Sequence, residues 1–428
     1  MVKDVRMTEY MNDEKSLRLI CISFLAATIG SLFFMPLVFV GMIIGIIAII
    51  KLDFRQLFAF LLFSFTYAGI LKIDIDSLSL FTIIEMFVVI YYLFRIHKLL
   101  LIFAFSLFLL LLEMLIFAID YLALYKVVII MMIFYCFVST YKENDSQLMS
   151  KWFIYGIMTS TVLGLFKERI PRLYSLYQDM NYEWLSGIKT IRFSGIYGDP
   201  NYYCIPILLC FLICLISLIS GNMIRKTRAV IFLAVSVICG MATLSKSFYL
   251  GFIASIILVV CLGSYRNRFS SILLVILSLF AIVLIDPGSM FTNIITRFQM
   301  TDTFSGRELL WQGYINKILE SSKTLWLGNG AGGPIVGMKY AHNGIIEIIY
   351  NIGIIGFVLY IFCIINPVVY MRRTGFRKTI INYSGFIIVA VLFFFLNVFT
   401  AYELPFYLMI CYVIFNSDIQ NGESILYI

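Results

Sequence analysis

The run LICISFLAATIGSLFFMPLVFVGMIIGIIAII, residues 19–50, contains no charged side chain. As one helix it would measure roughly 48 Å, against a bilayer hydrocarbon core of about 30 Å. It therefore reads as two spans, with Pro36 breaking the run into a tight hairpin. Outward from it, further apolar stretches occur at 54–71, 78–94, 99–119, 121–138, 152–166, 201–220, 229–245, 248–263, 270–285, 344–370, 381–398 and 404–416. They predict an all-α polytopic transmembrane bundle of about 12–14 spans, with residues 1–428 as a single integral membrane domain. The whole chain agrees: 62% of residues are hydrophobic, 13% are charged, and the mean hydropathy is +0.98, values that exclude a water-soluble globular protein.

The net charge of +8, from 32 Lys and Arg against 24 Asp and Glu, reads as membrane topology rather than as a nucleic-acid surface. The first 18 residues are polar, carry Lys3, Arg6, Lys15 and Arg18, and show no signal-peptide cleavage pattern. With the N-terminus in the cytoplasm, the inside receives Lys51 and Arg55, Arg95 and Lys98, Lys142 and Lys151, Arg225, Lys226 and Arg228, Arg266 and Arg268, and Arg372, Arg373, Arg377 and Lys378. Short outer loops then hold only Lys72 and Lys246. This asymmetry satisfies the positive-inside rule and predicts both termini in the cytoplasm. The nine cysteines all lie in apolar segments without a Cys-x-x-Cys pair, and read as buried thiols.

Two segments escape the pattern, 167–200 and 286–342. Both fall outside in this topology and both are too long to be mere connections, so function is expected there. The first holds Lys167, Arg169, Arg172, Lys189 and Arg192; the second holds Arg297, Arg307, Lys317, Lys323 and Lys339. A translocated loop has no topological need of cations, so some of them are expected to meet an anionic ligand.

The first loop ends in Ile191-Arg192-Phe193-Ser194-Gly195-Ile196-Tyr197-Gly198-Asp199-Pro200-Asn201. Asp199 as an N-cap and Pro200 as the first helical residue account for two positions, but not for Arg192. An arginine beside glycines that admit a ligand to the backbone suits a phosphate. The second loop contains Ser305-Gly306-Arg307-Glu308-Leu309-Leu310-Trp311. Leu310, Trp311, Tyr314, Ile315, Ile318 and Leu319 then recur at helical spacing, predicting an amphipathic helix on the outer face. Arg307 falls in its first turn, where the helix dipole does not favour a cation, which weighs toward function. Gly328-Asn329-Gly330-Ala331-Gly332-Gly333 formally matches the dinucleotide fingerprint, but lacks the strand before it and the helix after it, and reads as a turn returning the chain to the membrane.

Of two histidines, His97 sits in a basic run and reads as a solvated group, whereas His342 stands in Ala341-His342-Asn343-Gly344-Ile345-Ile346-Glu347, at the start of a long span. A helix N-terminus disfavours imidazolium and would leave the ring neutral and able to accept a proton. The competing reading is a histidine simply satisfied at an interface. Gly353 and Gly356 further along are expected to allow close helix packing. Lys246, in Ser245-Lys246-Ser247, interrupts an apolar stretch at a tight outer turn; it either anchors the interface or joins the phosphate site. Asp74-Ile75-Asp76 resembles the D-x-D of nucleotide-sugar transferases, but lies on the outer side and reads as a helix cap. Glu85, Glu113 and Lys126 fall inside apparent spans, where charges usually face a bundle interior or cavity.

Taken together, Arg192 through Asn201, the Ser245-Lys246-Ser247 turn, Gly306-Arg307 with Trp311, and His342-Asn343 running into Glu347 and Gly353 resemble the bacterial family of O-antigen ligases and O-antigen or capsular polysaccharide polymerases. The likeness is strongest over residues 190–360. Lys246 departs from it, since such proteins often carry arginine there. The resemblance implies a GT-C-type membrane glycosyltransferase of the cytoplasmic (inner) membrane. Its reaction would be an inverting, metal-independent transfer at the outer face, without a cofactor. The donor would be a glycan on undecaprenyl pyrophosphate and the acceptor another glycan, with a flippase and a chain-length regulator as further partners and no nucleic acid. Arg192, Lys246 and Arg307 would hold the pyrophosphate, His342 would orient or deprotonate the acceptor hydroxyl, and Asp199, Asn201, Asn343 and Glu347 would complete substrate binding. The expectation is a polymerase of lipid-linked repeat units, with an O-antigen ligase acting on lipid A core as the alternative. A lipid-linked oligosaccharide transporter, using Glu85, Glu113 and Lys126 as its path, is the rival from another class; the long outer loops and the lack of an inverted repeat weigh against it.

Overall fold

The fold is that of a computed structural model, which describes residues 2–74, 77–96, 99–117, 121–177, 182–185, 188–220, 223–260, 307–330, 339–371, 380–396 and 400–417, with a few single residues between them. The charge-free run divides as its proline requires: α1 (Val2–Ser31) and α2 (Leu37–Lys51) flank a break at 32–36 and pack against each other. Helix α1 also continues through the polar N-terminal residues. Then follow α3 (Phe54–Ser64), α4 (Phe81–Ile96), α5 (Leu101–Phe117), α6 (Tyr121–Thr140), α7 (Ser146–Gly164), a short α8 (Pro171–Leu176), α9 (Pro200–Ser220), α10 (Lys226–Ala242) and α11 (Lys246–Val260). The chain continues with α12 (Arg307–Leu319), α13 (Ser322–Leu327), α14 (Gly344–Tyr370), α15 (Ile380–Phe393) and α16 (Leu404–Asn416). The span expected at 270–285 lies outside the described residues, apart from isolated positions.

Among the described residues three helices are long and apolar enough to cross a membrane, at Tyr121–Thr140, Pro200–Ile219 and Gly344–Tyr370. Five shorter apolar helices accompany them, including α2, α15 and α16. The described residues are helical as expected, with one small addition. The first long loop contains an antiparallel hairpin, β1 (Tyr182–Leu185) with β2 (Ile188–Ile191), paired Tyr182 to Ile191 and Leu185 to Ile188. Both strands mix aromatic or β-branched residues with polar ones around a two-residue connection containing Gly187, the composition of a short hairpin.

Helices α9 and α16 form the centre. Every residue of α9 from Tyr203 to Ser217 and every residue of α16 is buried, as expected of helices that are apolar on all sides. Helix α9 packs against α7, α10, α11, α15 and α16. The periphery is apolar in the opposite direction: on α5, Leu101, Phe105, Phe108, Leu112 and Leu115 recur at helical spacing and are exposed. Such a stripe has no place against water, and meets lipid.

The ends of the bundle differ chemically. At one end Arg55 pairs with Asp145 at 2.7 Å, Lys151 pairs with Glu14, and Arg225 and Arg228 lie within electrostatic range of Lys151. These residues all belong to segments assigned to the cytoplasm from Lys and Arg distribution. The opposite end gathers the starts of α4, α6, α9, α11, α14 and α16, and with them the candidate site.

Candidate functional site

The Arg192–Asn201 segment folds onto the α10–α11 turn through three bonds, and a fourth, from Arg192 to Asn201, closes the segment on itself. The Phe193 amide donates to the Ala242 carbonyl at 2.9 Å, and Arg192 donates through Nε to the Thr243 carbonyl at 2.9 Å and through Nη2 to Asn201 Oδ1 at 3.1 Å. Ser245 Oγ donates to the same Asn201 oxygen at 2.8 Å. The arginine is buried, and these acceptors are neutral oxygens, so they orient the guanidinium without cancelling its charge. Asp199 caps α9: its Oδ1 accepts from the Asn201 amide and from Asn201 Nδ2, each at 2.8 Å. The carboxylate thus fixes Asn201, which fixes Arg192 and Ser245. Lys246 begins α11, half-buried, immediately beyond this knot.

Gly195 does not serve the ligand-admitting role expected of it. With φ of 55°, it lies against the Tyr203 ring, which a Cβ there would strike, and its backbone stands so close to Gly164 that a Cβ on Gly164 would collide with it. Close packing of α7 on α9 is its reason. Gly198 is unobstructed: the nearest atom to a Cβ there is 4.0 Å away, on Tyr177.

Helix α12 supplies the second half of the site. Tyr314 and Ile318 are its buried face, while Leu309, Ile315 and Leu319 are exposed. Trp311 Nε1 donates to the Ala341 carbonyl at 2.9 Å and Tyr314 OH to the Lys339 carbonyl at 3.2 Å. The segment leading to His342 is thereby clamped, and Asn343 then caps α14 by accepting from the amides of Ile345 and Ile346, each at 3.1 Å. Arg307 donates through Nη1 to the Phe395 carbonyl at 2.9 Å, joining α12 to the end of α15. Glu347 is buried one turn into α14.

His342 is held between these anchors with φ of 51°, and Leu244, in the turn beneath Arg192, has φ of 50°. Among the described residues these are the non-glycine positions in the left-handed region. Such strain is tolerated where surroundings over-determine the backbone, and it clusters at functional sites. The His342 pKa is lowered by burial first, then by Arg307; Asp199 opposes the shift and Lys339 adds to it. The ring is therefore neutral, with desolvation and a neighbouring guanidinium as the leading causes. The same interactions place Arg307 and Asp199 each within electrostatic range of His342. Tyr202 is in range of Asp199, Glu347 and Arg307 as well, so the two halves, separated by more than a hundred residues, share one site.

The described part of the glycine-rich segment, Gly328–Gly330, is a docked turn, and residues 331–333 lie outside the described residues. Helix α14 breaks at Gly353, where φ is 64°, and the freed carbonyls of Tyr350 and Asn351 accept from the amides of Asn329 and Gly330 at 2.9 and 2.8 Å. Gly328, with φ of 73°, and Gly353 approach so closely that a Cβ on either would strike the other's backbone neighbourhood. Gly353 therefore marks a helix break and also allows the close packing expected of it, against Trp326 and Leu327 at the end of α13.

One cation in the neighbourhood was not singled out by sequence motifs. Lys167 is buried, donates to Ser194 Oγ at 3.2 Å and to the Tyr197 carbonyl at 3.3 Å, and lies over the Tyr177 ring. Burial pulls its pKa down to about 8. Nothing in the local sequence separates it from Arg169 or Arg172; its burial depends on chain folding 27 residues away.

No curated protein and no solved structure matches the chain. Residues 229–361, a segment that contains Lys246, Arg307 and His342 but not Arg192, match the family model described as O-antigen ligase, and the chain is thus consistent with the O-antigen ligase and polymerase family that its motifs resemble.

Proposed function

We propose that this chain is a membrane glycosyltransferase of the O-antigen ligase type, moving a glycan from undecaprenyl pyrophosphate to a sugar hydroxyl at the outer face of the cytoplasmic membrane. The observation that carries the reading is the convergence of Arg192, Lys246 and Arg307 with a neutral, half-buried His342 at one end of the bundle. The family match names the ligase, so lipid A core as acceptor is nearer to it than the polymerase reading, in which the acceptor is another lipid-linked unit.

In this reading the acceptor oxygen attacks the anomeric carbon from the face opposite the pyrophosphate, the carbon–oxygen bond to the phosphate breaks, and configuration inverts. Charge develops on the departing pyrophosphate, where the three cations stabilise it in a partly dehydrated site. His342 takes or orients the acceptor proton. The leaving group is already activated, so the step needs no metal. An apolar cavity of about 480 Å³ begins at Ile345, three residues beyond His342, and runs between α14, α15 and α16 past Ile348, Phe357, Phe386 and Phe393. It suits the polyprenyl chain of such a donor.

The discriminating test is loss of the gene in its own strain, with lipopolysaccharide and lipid-linked glycans both resolved by size. A ligase leaves uncapped lipid A core and accumulates long lipid-linked glycan. Core capped by a single repeat unit instead would assign the polymerase role, and an unchanged surface glycan would contradict both.

A further inference from the structure

Glu85, on α4, is 1% exposed, and its Oε1 has no hydrogen-bond partner. It lines a cavity of about 210 Å³ together with Lys126 of α6, Lys72, Ser77, Thr82 and Tyr402. Glu403 interacts electrostatically with Glu85, Lys126 and Lys72. The cavity lies at the end of the bundle that holds the candidate site, since Tyr202 is in electrostatic range of Glu403 on one side and of Asp199 and Arg307 on the other. The transfer chemistry above uses none of these cavity residues.

The lining is chemically specific. A buried carboxylate without a partner is costly, so an unfilled acceptor at Glu85 calls for a donor from a ligand. A metal ion is poorly served, because Lys126 and Lys72 already supply positive charge. A diphosphate is repelled by Glu85 and Glu403 and is drawn instead to Arg192 and Arg307. A polyhydroxylated neutral ring fits: its hydroxyls donate to carboxylates, accept from ammonium groups and exchange bonds with Ser77 and Thr82, while Tyr402 offers an aromatic surface. The volume lies below the roughly 300–1,000 Å³ of pockets that enclose drug-sized ligands, so it admits one sugar ring rather than an oligosaccharide.

We propose that this cavity is a monosaccharide subsite that receives the terminal sugar of the acceptor, with Glu85 accepting from and Lys126 donating to its hydroxyls. The assignment of that sugar to the acceptor rests on the transferase reading; the subsite itself does not. The test uses the purified full-length protein and two measurements. Binding of methyl glycosides of glucose, N-acetylglucosamine and rhamnose is followed by saturation-transfer NMR, and glycan transfer is followed with lipid-linked donor at varied acceptor concentration. The variants are Glu85→Gln, Lys126→Met and Leu122→Trp, the last filling the cavity from its wall without removing a buried charge. The wild type should bind at least one glycoside, with affinity at least tenfold weaker in Glu85→Gln and lost in Leu122→Trp. The acceptor KM should rise at least tenfold while the donor KM stays within twofold. A wild type that binds no glycoside, or variants that all bind as the wild type does, overturns the subsite. Glycoside binding lost in the variants of a protein that transfers nothing would keep the subsite and remove the transferase reading. Transfer with unchanged acceptor KM in all three would do the reverse.

Discussion

His342 combines a strained backbone, two flanking anchors and a depressed pKa, and each has a measurable consequence. Because the folded ring titrates below its ordinary value of 6.5, the acid limb of kcat/KM should lie below pH 6.5, that profile reporting the free enzyme. Lys339→Met removes a charge that lowers the pKa, so the limb should move up; Asp199→Asn removes one that raises it, so the limb should move down. A limb unmoved by either substitution would remove His342 as the titrating group. Asn201→Ala should lower kcat/KM by about 10- to 100-fold. Its oxygen accepts from both Arg192 and Ser245, and an unsatisfied bond to a charged group costs about 1.5–3 kcal/mol. Steady-state kinetics with normal membrane levels would check it. The candidates His342, Arg192 and Arg307 were legible as residues that ordinary capping does not explain. Lys167 was not, because among several loop cations only tertiary packing distinguishes the buried one.

Helix α14 is a single apolar run in sequence, yet its first turns are separated from the rest by the break at Gly353, whose exposed carbonyls the 328–330 turn satisfies. The break fixes where His342 and Asn343 stand relative to α12. Gly353→Ala places a side chain at φ of 64° and against the Trp326 carbonyl, a combined penalty of about 1–3 kcal/mol or more. The expected result is a lower melting temperature and faster proteolysis near residues 326–330, whereas Gly356→Ala, facing only its own helix's Ile352, should change less. Equal effects would mean that the turn is not docked as described. Helix existence and limits were readable from apolar runs because lipid imposes their length. The break was not, since a glycine in an apolar helix equally signals close packing. The β1–β2 hairpin escaped notice because four-residue strands carry too little alternation to register.

The bundle presents apolar side chains outward and ion pairs at one end, and the opposite end collects residues from six helix starts. Sequence asymmetry of Lys and Arg predicts which end faces the cytoplasm: reporters fused near residues 180 and 320 should read outside, and those near 226 and 375 inside. An external signal at 226 would put Arg192 and Arg307 on the wrong side for a lipid-linked donor that has been flipped outward. The overall helical architecture and its membrane character follow from composition alone. The meeting of Glu85 with Lys126, 41 residues apart on different helices, does not, because hydropathy shows that a charge is buried but not what it faces. The account stands most directly on glycan transfer by the purified protein, given undecaprenyl-pyrophosphate-linked glycan and lipid A core in the presence of a chelator. Capped lipid A core should form with the wild type, fall at least 100-fold in His342→Ala, Arg192→Ala and Arg307→Ala, and persist in Lys323→Ala. A folded wild type that forms no glycan product from any acceptor, or the three variants turning over like Lys323→Ala, would contradict it.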